Sequence, residues 1–261
     1  MHLLILLSFV ACYNNTRPES FDPTDPVDTG ATLEMDRVFA VKEVMSILMD
    51  NPNPLDPTSA ASVLTTWKLA DWHQDGTVVE WVETTCGMES TEVFDTQTLY
   101  PDAFVASMAP ETRQGTLSST QVGATFAAGP YATLVGVVLD DPLTDPIPTS
   151  ADDPAVVDQD QDGFPGVTVH IVQDLLGEGD VYVAQRTITS LEGSVVSPSR
   201  VEGLLDAVSE QSILDASAWW LSLPTNSRPD DDPSHSWFVY EEVEAGSTCV
   251  EVLDQRATLF D

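Results

Sequence analysis

Apolar and polar residues alternate along much of the chain with a period close to two, the pattern of strands that bury one face. Residues 33–49 follow this pattern, although a helical face also fits them. Residues 61–73 and 77–85 flank an Asp75-Gly76 turn between arms rich in β-forming residues. Such a turn is typical of a β-hairpin. We therefore interpret all three segments as strands.

The second half of the chain continues the strand pattern, with turn residues at short intervals. Strands are predicted at residues 133–139, 167–173, 181–189, 200–208, 211–220, 236–244 and 247–253, and turns at 177–180, 192–194 and 245–246. About ten strands without a helix longer than a few turns predict an all-β protein, an antiparallel up-and-down barrel or half-barrel. A two-sheet sandwich is the alternative. Residues 140–166 form a long acidic loop, and such loops are usually functional or disordered.

The N-terminal segment has the features of an export signal. Residues 3–10 are apolar, too short a run to span a bilayer but suited to a signal peptide. The run ends in Phe9-Val10-Ala11-Cys12, which resembles the lipobox of bacterial lipoproteins, with Phe9 in place of the usual leucine. We expect residues 1–11 to be a signal peptide, Cys12 to carry a lipid that anchors the protein to a membrane, and residues 12–31 to be a flexible acidic tether. Ordinary cleavage, which would give a periplasmic or secreted protein, is the alternative.

The chain is strongly acidic, with 43 Asp and Glu residues, 9 Lys and Arg residues and a formal charge of −34. Hydrophobic residues make up 42% of it, enough for a folded core. The negative charge repels phosphate backbones, so nucleic acid is not expected as a partner. Solubility in a salty medium explains the charge more simply than a charge-driven binding function.

The cysteines divide into one lipidation candidate and one pair. Cys12 ends the apolar opening, whereas Cys86 and Cys249 lie far apart inside the predicted single domain, residues 32–261. Export implies an oxidising compartment, which favours a Cys86–Cys249 disulfide over two buried thiols.

One motif in the long loop carries recognisable chemistry. Asp158, Asp160 and Asp162 alternate with glutamines and precede Gly163, giving D-x-D-x-D-G. Alternating carboxylates in a tight loop converge on a hard cation, and glycine permits the reversal of the chain. Calcium is the expected ion, and Phe164 is placed to add a backbone carbonyl ligand.

The motif departs from an EF-hand loop, because Val169 stands where a bidentate glutamate is required. Either Asp152, Asp153 or Asp174 folds back to complete the ligand shell, or binding is weak, in the ~0.1–1 mM range. The segment resembles the calcium loops of thrombospondin type 3 repeats more than a true EF-hand. The alternative is a surface turn that binds nothing. A bound ion would be structural and would tie the long loop to the strand that begins at Val167.

The segment 158–169, together with the lipobox, resembles uncharacterised predicted lipoproteins of bacteria. The resemblance implies a cell-envelope location, most simply that of an outer-membrane lipoprotein, but no activity. We expect a non-enzymatic structural or interaction role, with the protein or small-molecule partner left open. A lipocalin-like carrier of small apolar ligands is one alternative, although the lipocalin G-x-W signature is missing. A secreted hydrolase is another, and it would require His170 or His235 to meet a carboxylate and a nucleophile.

Ordinary structural roles account for the remaining candidate residues. His73, His170 and His235 show no zinc-binding spacing, and His170 is expected to face solvent from its strand. The six tryptophans lie in or beside predicted strands and are expected in the core. Alternation would direct one ring of the pair Trp219-Trp220 outward, so a carbohydrate or lipid platform is the alternative for that pair.

Overall fold

The computed structural model describes residues 18–26, 32–51, 57–222 and 226–260. The predicted signal peptide and Cys12 lie outside the described residues, as do residues 27–31 of the predicted tether. The described part of that tether lies along the domain, because the Phe21 amide donates to the Ser234 carbonyl and the Thr24 amide to the Glu202 carboxylate. Within the described ranges, no helix is long and apolar enough to cross a membrane.

Strands dominate the chain. They are β1 Arg37–Asp50, β2 Ser59–Asp75, β3 Val78–Ser90, β4 Thr96–Leu99, β5 Glu111–Leu117, β6 Thr125–Val135, β7 Val167–Gln173, β8 Gly177–Ser197, β9 Arg200–Ala216, β10 Ser227–Pro229 and β11 Trp237–Val243. The helices are α1 Asp102–Ser107 and α2 Cys249–Leu259, and short 3-10 turns occupy Trp219–Ser222 and Pro233–His235.

The strands form a barrel by pairing in chain order. Eight strands form a ring in which each pairs antiparallel with the next, in the order β1, β2, β3, β5, β6, β8, β9 and β11. The last of them, β11, pairs with β1 and closes the ring. β7 pairs with the first part of β8 and carries β4, while β10 pairs with β1. This ring confirms the predicted up-and-down barrel, and the sandwich alternative is wrong. The Asp75-Gly76 hairpin is also confirmed, with Asp75 opposite Val78 and Gly76 at φ +61°.

Two strands are longer than the sequence pattern predicted. β8 continues through the turns predicted at 177–180 and 192–194, and β9 joins two predicted strands into one. Gly193 lies opposite Gly203, where an added Cβ would come within 2.2 Å of the carbonyl oxygen of Glu202. The glycine at 193 therefore permits close approach of two strands and does not mark a turn.

Two other predicted segments need correction. Residues 247–253, predicted as a strand, belong largely to helix α2, which begins at a capping box between Thr248 and Glu251. The strand predicted at 133–139 overlaps only the end of β6, because the chain turns away at Gly136, which has φ +69°. β5 and most of β6 were missed, since the polar residues of β5 and the small residues of β6 weaken the apolar alternation.

One half of the barrel interior is filled with aromatic side chains. Trp72 and Trp81 stack with ring centroids 4.9 Å apart, and Tyr240 packs edge-on against Trp72 at the same distance. Phe39 and Phe126 complete this group on either side. The predicted core role holds for these tryptophans, which are almost fully buried.

Helix α2 covers part of the outer wall. Val252 packs there against Ala40 and Trp67, which face outward from their strands. The Cys86 and Cys249 sulfur atoms lie at bonding distance, with the Cα atoms 4.9 Å apart, as predicted. The pair holds the start of α2 to β3.

Candidate metal centre

The long loop, residues 140–166, is anchored to the barrel by two side chains. The buried Arg186 guanidinium donates to the carbonyls of Pro142 and Asp145, at 3.2 and 2.6 Å. Gln159 accepts from the Gly136 amide at 2.7 Å and donates to the carbonyl of Ser107 at 3.1 Å. These contacts fix the loop before the acidic motif and at Gln159 within it.

The motif brings three carboxylates together. Ligand atoms of Asp158, Asp160 and Asp162 all lie within 4.8 Å of one another. The Asp158 carboxylate accepts from the amides of Asp162 and Gly163, at 3.1 and 3.0 Å. The chain reverses through positive φ at Gln161 and Gly163, +59° and +92°. The local fold therefore arranges the carboxylates as the motif predicted.

Thr168, the second residue of strand β7, joins the motif to that strand. The Thr168 amide donates to Asp160 Oδ2 at 2.9 Å, and the Thr168 hydroxyl donates to the Asp162 carboxylate. Asp160 Oδ1 is buried and has no hydrogen-bond partner. One carboxylate oxygen at the centre of the group is thus left with free lone pairs, in a site that already connects the loop to the strand.

The electrostatics of the group favour a cation. Burial raises the pKa of Asp160, and the charges of Asp162 and Asp158 raise it further, against the lowering effect of the hydrogen bond from Thr168. A divalent ion between the three carboxylates would offset both their mutual repulsion and the desolvation of Asp160.

Of the residues expected to add ligands, Phe164 contacts the motif, whereas the three additional aspartates do not join it. The Phe164 amide donates to Asp162 Oδ1 at 2.9 Å, and its ring stacks on Tyr182 with a centroid separation of 4.3 Å. Asp152, Asp153 and Asp174 do not belong to the group of converging ligand atoms in the described part of the chain. Side chains therefore supply three carboxylates, and further ligands would have to be backbone carbonyls and water.

His170 and His235 both contact carboxylates. His170 Nδ1 lies 2.8 Å from Asp180, and its side chain is only 30% exposed, less than expected. His235 Nδ1 lies 2.9 Å from Asp230, whose carboxylate also accepts from the Ser46 hydroxyl at 2.6 Å. The serine bonds to the acid and not to the histidine, so the imidazole is not placed to take its proton.

The tryptophan pair lies in a 3-10 turn and not in a strand. Trp219 is 75% exposed, whereas Trp220 packs against the buried residues near β7 and β8. One ring does face outward, as predicted, although the turn and not strand alternation places it there.

Sequence reasoning missed a second group of charges, inside the barrel and next to the aromatic residues, where the Trp81 indole donates to Glu83. We call it the charged cluster: Glu43, Lys68, Glu83, Glu111 and Arg113. Lys68 Nζ lies 2.7 Å from Glu43 and 3.0 Å from Glu83. Arg113 bonds to Glu83 at 3.3 Å and to Glu111.

A signal for this cluster was present in the sequence. Lys68 is four residues before Trp72 on β2, and Glu83 is two residues after Trp81 on β3. Side chains separated by an even number of residues lie on the same face of a strand. Charged residues at an even distance from a buried tryptophan therefore point into the barrel.

Comparisons with known proteins add no assignment. No family model matches the chain, and neither a curated protein nor a solved structure matches it. Function is therefore inferred from the sequence and the geometry.

Proposed function

We propose that this protein is a non-enzymatic lipoprotein of the cell envelope with a structural or interaction role, in which calcium stabilises the long loop. The observation that carries the calcium part is the convergence of Asp158, Asp160 and Asp162 around an unpartnered oxygen of Asp160. Exposed acidic groups are common, but a partly buried carboxylate oxygen without a donor has a specific need for a cation.

Calcium would act as a clamp between the loop and the barrel. Asp160 and Asp162 already accept hydrogen bonds from Thr168, so an ion held by them would strengthen the same junction. Three carboxylates without a bidentate glutamate suit the weak range of extracellular modules, roughly 0.1–1 mM. At ten times the dissociation constant, the bound ion would stabilise the fold by about 1.4 kcal/mol.

The envelope location rests on the lipobox-like segment that ends at Cys12. The paired cysteines, Cys86 and Cys249, support it, because structural disulfides persist in oxidising compartments. The lipid would anchor the barrel to a membrane, and calcium at millimolar concentration is available outside the cytoplasm of many cells.

The two alternatives have less support. A carrier of apolar ligands needs empty apolar space, whereas Trp72, Trp81 and Tyr240 pack closely in the apolar half of the interior. A hydrolase needs an activated nucleophile, and the Ser46 hydroxyl donates to Asp230.

The test is calorimetric titration of calcium into chelator-treated protein. We expect saturable binding that Asp160→Asn abolishes, together with a calcium-dependent rise in Tm that the variant lacks. Asp152→Asn is the matched control, since it makes the same change of charge in the same loop but lies outside the converging group. If both variants bind calcium like the unmodified protein, the motif is an acidic turn and the calcium proposal is wrong.

A further inference from the structure

The charged cluster is buried except at Glu111. The side chains of Glu43 and Lys68 are 12% and 11% exposed, and that of Glu111 is 32% exposed. Glu83 and Arg113, beside them, are almost completely buried, with 2% and 5% of their side chains exposed. Solvent thus reaches the cluster mainly at Glu111.

Three buried oxygen atoms beside the cluster have no hydrogen-bond partner. They are Glu43 Oε1 and the hydroxyls of Tyr131 and Tyr240. Tyr240 is fully buried, and its ring lies 6.2 Å from that of Trp81, whose indole donates to Glu83. Burial and the charge of Glu83 raise the pKa of the Tyr240 hydroxyl. The charges of Glu83 and Glu43 act in the same way on Tyr131. The Tyr131 ring packs against the Arg113 guanidinium at 3.7 Å, so both tyrosines border the charged cluster.

With all of its members ionised, the cluster has one negative charge in excess. Its three carboxylates, Glu43, Glu83 and Glu111, face two cations, Lys68 and Arg113. Both cations already pair with carboxylates of the cluster, and Arg113 also donates to the Thr133 hydroxyl at 2.8 Å. A buried carboxylate oxygen without a donor is unfavourable, so the region needs a group that brings both positive charge and hydrogen-bond donors.

We propose that this end of the barrel binds a small compound with a primary ammonium group. An ammonium group has three N–H donors, which match the unpartnered oxygens of Glu43, Tyr131 and Tyr240, and its charge balances the cluster. The ligand enters past Glu111, and its ammonium group lies against Glu43. The inference does not depend on the calcium loop, which lies outside the barrel interior.

The test uses methylammonium chloride as the probe, titrated into the protein in the presence of a chelator. Tetramethylammonium, which carries the same charge without an N–H donor, is the matched control ligand. We expect saturable binding of methylammonium and none of tetramethylammonium. Binding should weaken about tenfold or more in Glu43→Gln, which removes the charge, and in Tyr131→Phe, which removes one oxygen acceptor.

The variant Asp160→Asn and the variant Tyr131→Phe together show whether binding occurs at the cluster. Asp160→Asn should bind methylammonium normally, because it affects only the calcium loop, so failure of one proposal does not imply failure of the other. Tyr131→Phe keeps the aromatic ring against which Arg113 packs at 3.7 Å, so it serves as the decisive variant if Glu43→Gln does not fold. Equal weak binding of both ammonium ions would indicate attraction to the acidic surface only. That result, no binding, or normal binding in Tyr131→Phe would overturn the proposal.

Discussion

At the scale of single residues, the environment of each carboxylate decides its charge. Glu43 and Glu83 share the same lysine, yet burial raises the pKa of Glu43, whereas Lys68 and Arg113 outweigh burial and lower the pKa of Glu83. Glu83 additionally accepts a hydrogen bond from the Trp81 indole at 3.1 Å. Two cations and an indole donor around one carboxylate explain why it is the fixed centre of the cluster.

Substitution of Lys68 tests how far the fold depends on this centre. Lys68→Met should lower the free energy of unfolding by about 3–5 kcal/mol, because it leaves Glu43 and Glu83 in the barrel without their shared cation. Denaturation by urea measures the change. The chain has one other lysine, Lys42, which packs over the Trp237 ring at 4.9 Å.

Lys42→Met is the matched control for that measurement. It should cost only about 0.5–1 kcal/mol, the value of a cation–π contact at a partly exposed site. Similar losses in the two variants would show that Lys68 contributes through general charge balance and not through its buried ion pairs.

At the scale of elements, short-range sequence signals predicted some strands and turns correctly and misled the prediction of others. The Asp75-Gly76 hairpin and the acidic motif follow from short-range chemistry and appear where the sequence placed them. Helix α2 was predicted as a strand, although Thr248 and Glu251 form a capping box whose spacing is visible in the sequence. The apolar alternation of residues 247–253 concealed it.

The cap of α2 should make a measurable contribution to stability. Thr248→Ala removes the side chain that accepts from the Glu251 amide, and we expect a loss of about 1 kcal/mol. Ser247→Ala, one residue before the cap, is the control and should be nearly neutral. Thermal unfolding followed by circular dichroism compares the two variants, and equal stability would mean that packing and the disulfide alone hold the helix.

At the scale of the whole molecule, a closed ring of strands joins distant parts of the chain. β1 pairs with β11, and the Cys86–Cys249 pair connects residues separated by 163 positions. The pair also ties α2 to the wall of the barrel over Trp67. Strand pairing is lost on unfolding, whereas the covalent link between the cysteines persists and limits the freedom of the unfolded chain.

Removal of the cysteine pair tests that connection. The double variant Cys86→Ala and Cys249→Ala should be less stable by up to about 5 kcal/mol on the chain-entropy model. Denaturation by guanidinium under non-reducing conditions gives the difference. The unmodified protein in a strong thiol reductant should approach the stability of the variant, and an unchanged midpoint in both cases would contradict the expected role.

The sequence by itself determined the all-β class, the β2–β3 hairpin, the cysteine pair and the grouping of Asp158, Asp160 and Asp162. These features depend on alternation, turn chemistry and residue type, which act over short distances or, for the cysteines, have one possible partner in the predicted domain.

Only the tertiary structure decided the continuous pairing of β8 with β9, the closure of the ring and the charged cluster. Glu43, Glu83 and Tyr240 come from three strands far apart in the chain, and they meet because the barrel closes. Period-two spacing shows which side chains face inward, but it does not show which inward-facing side chains meet, because strand order and register set those distances.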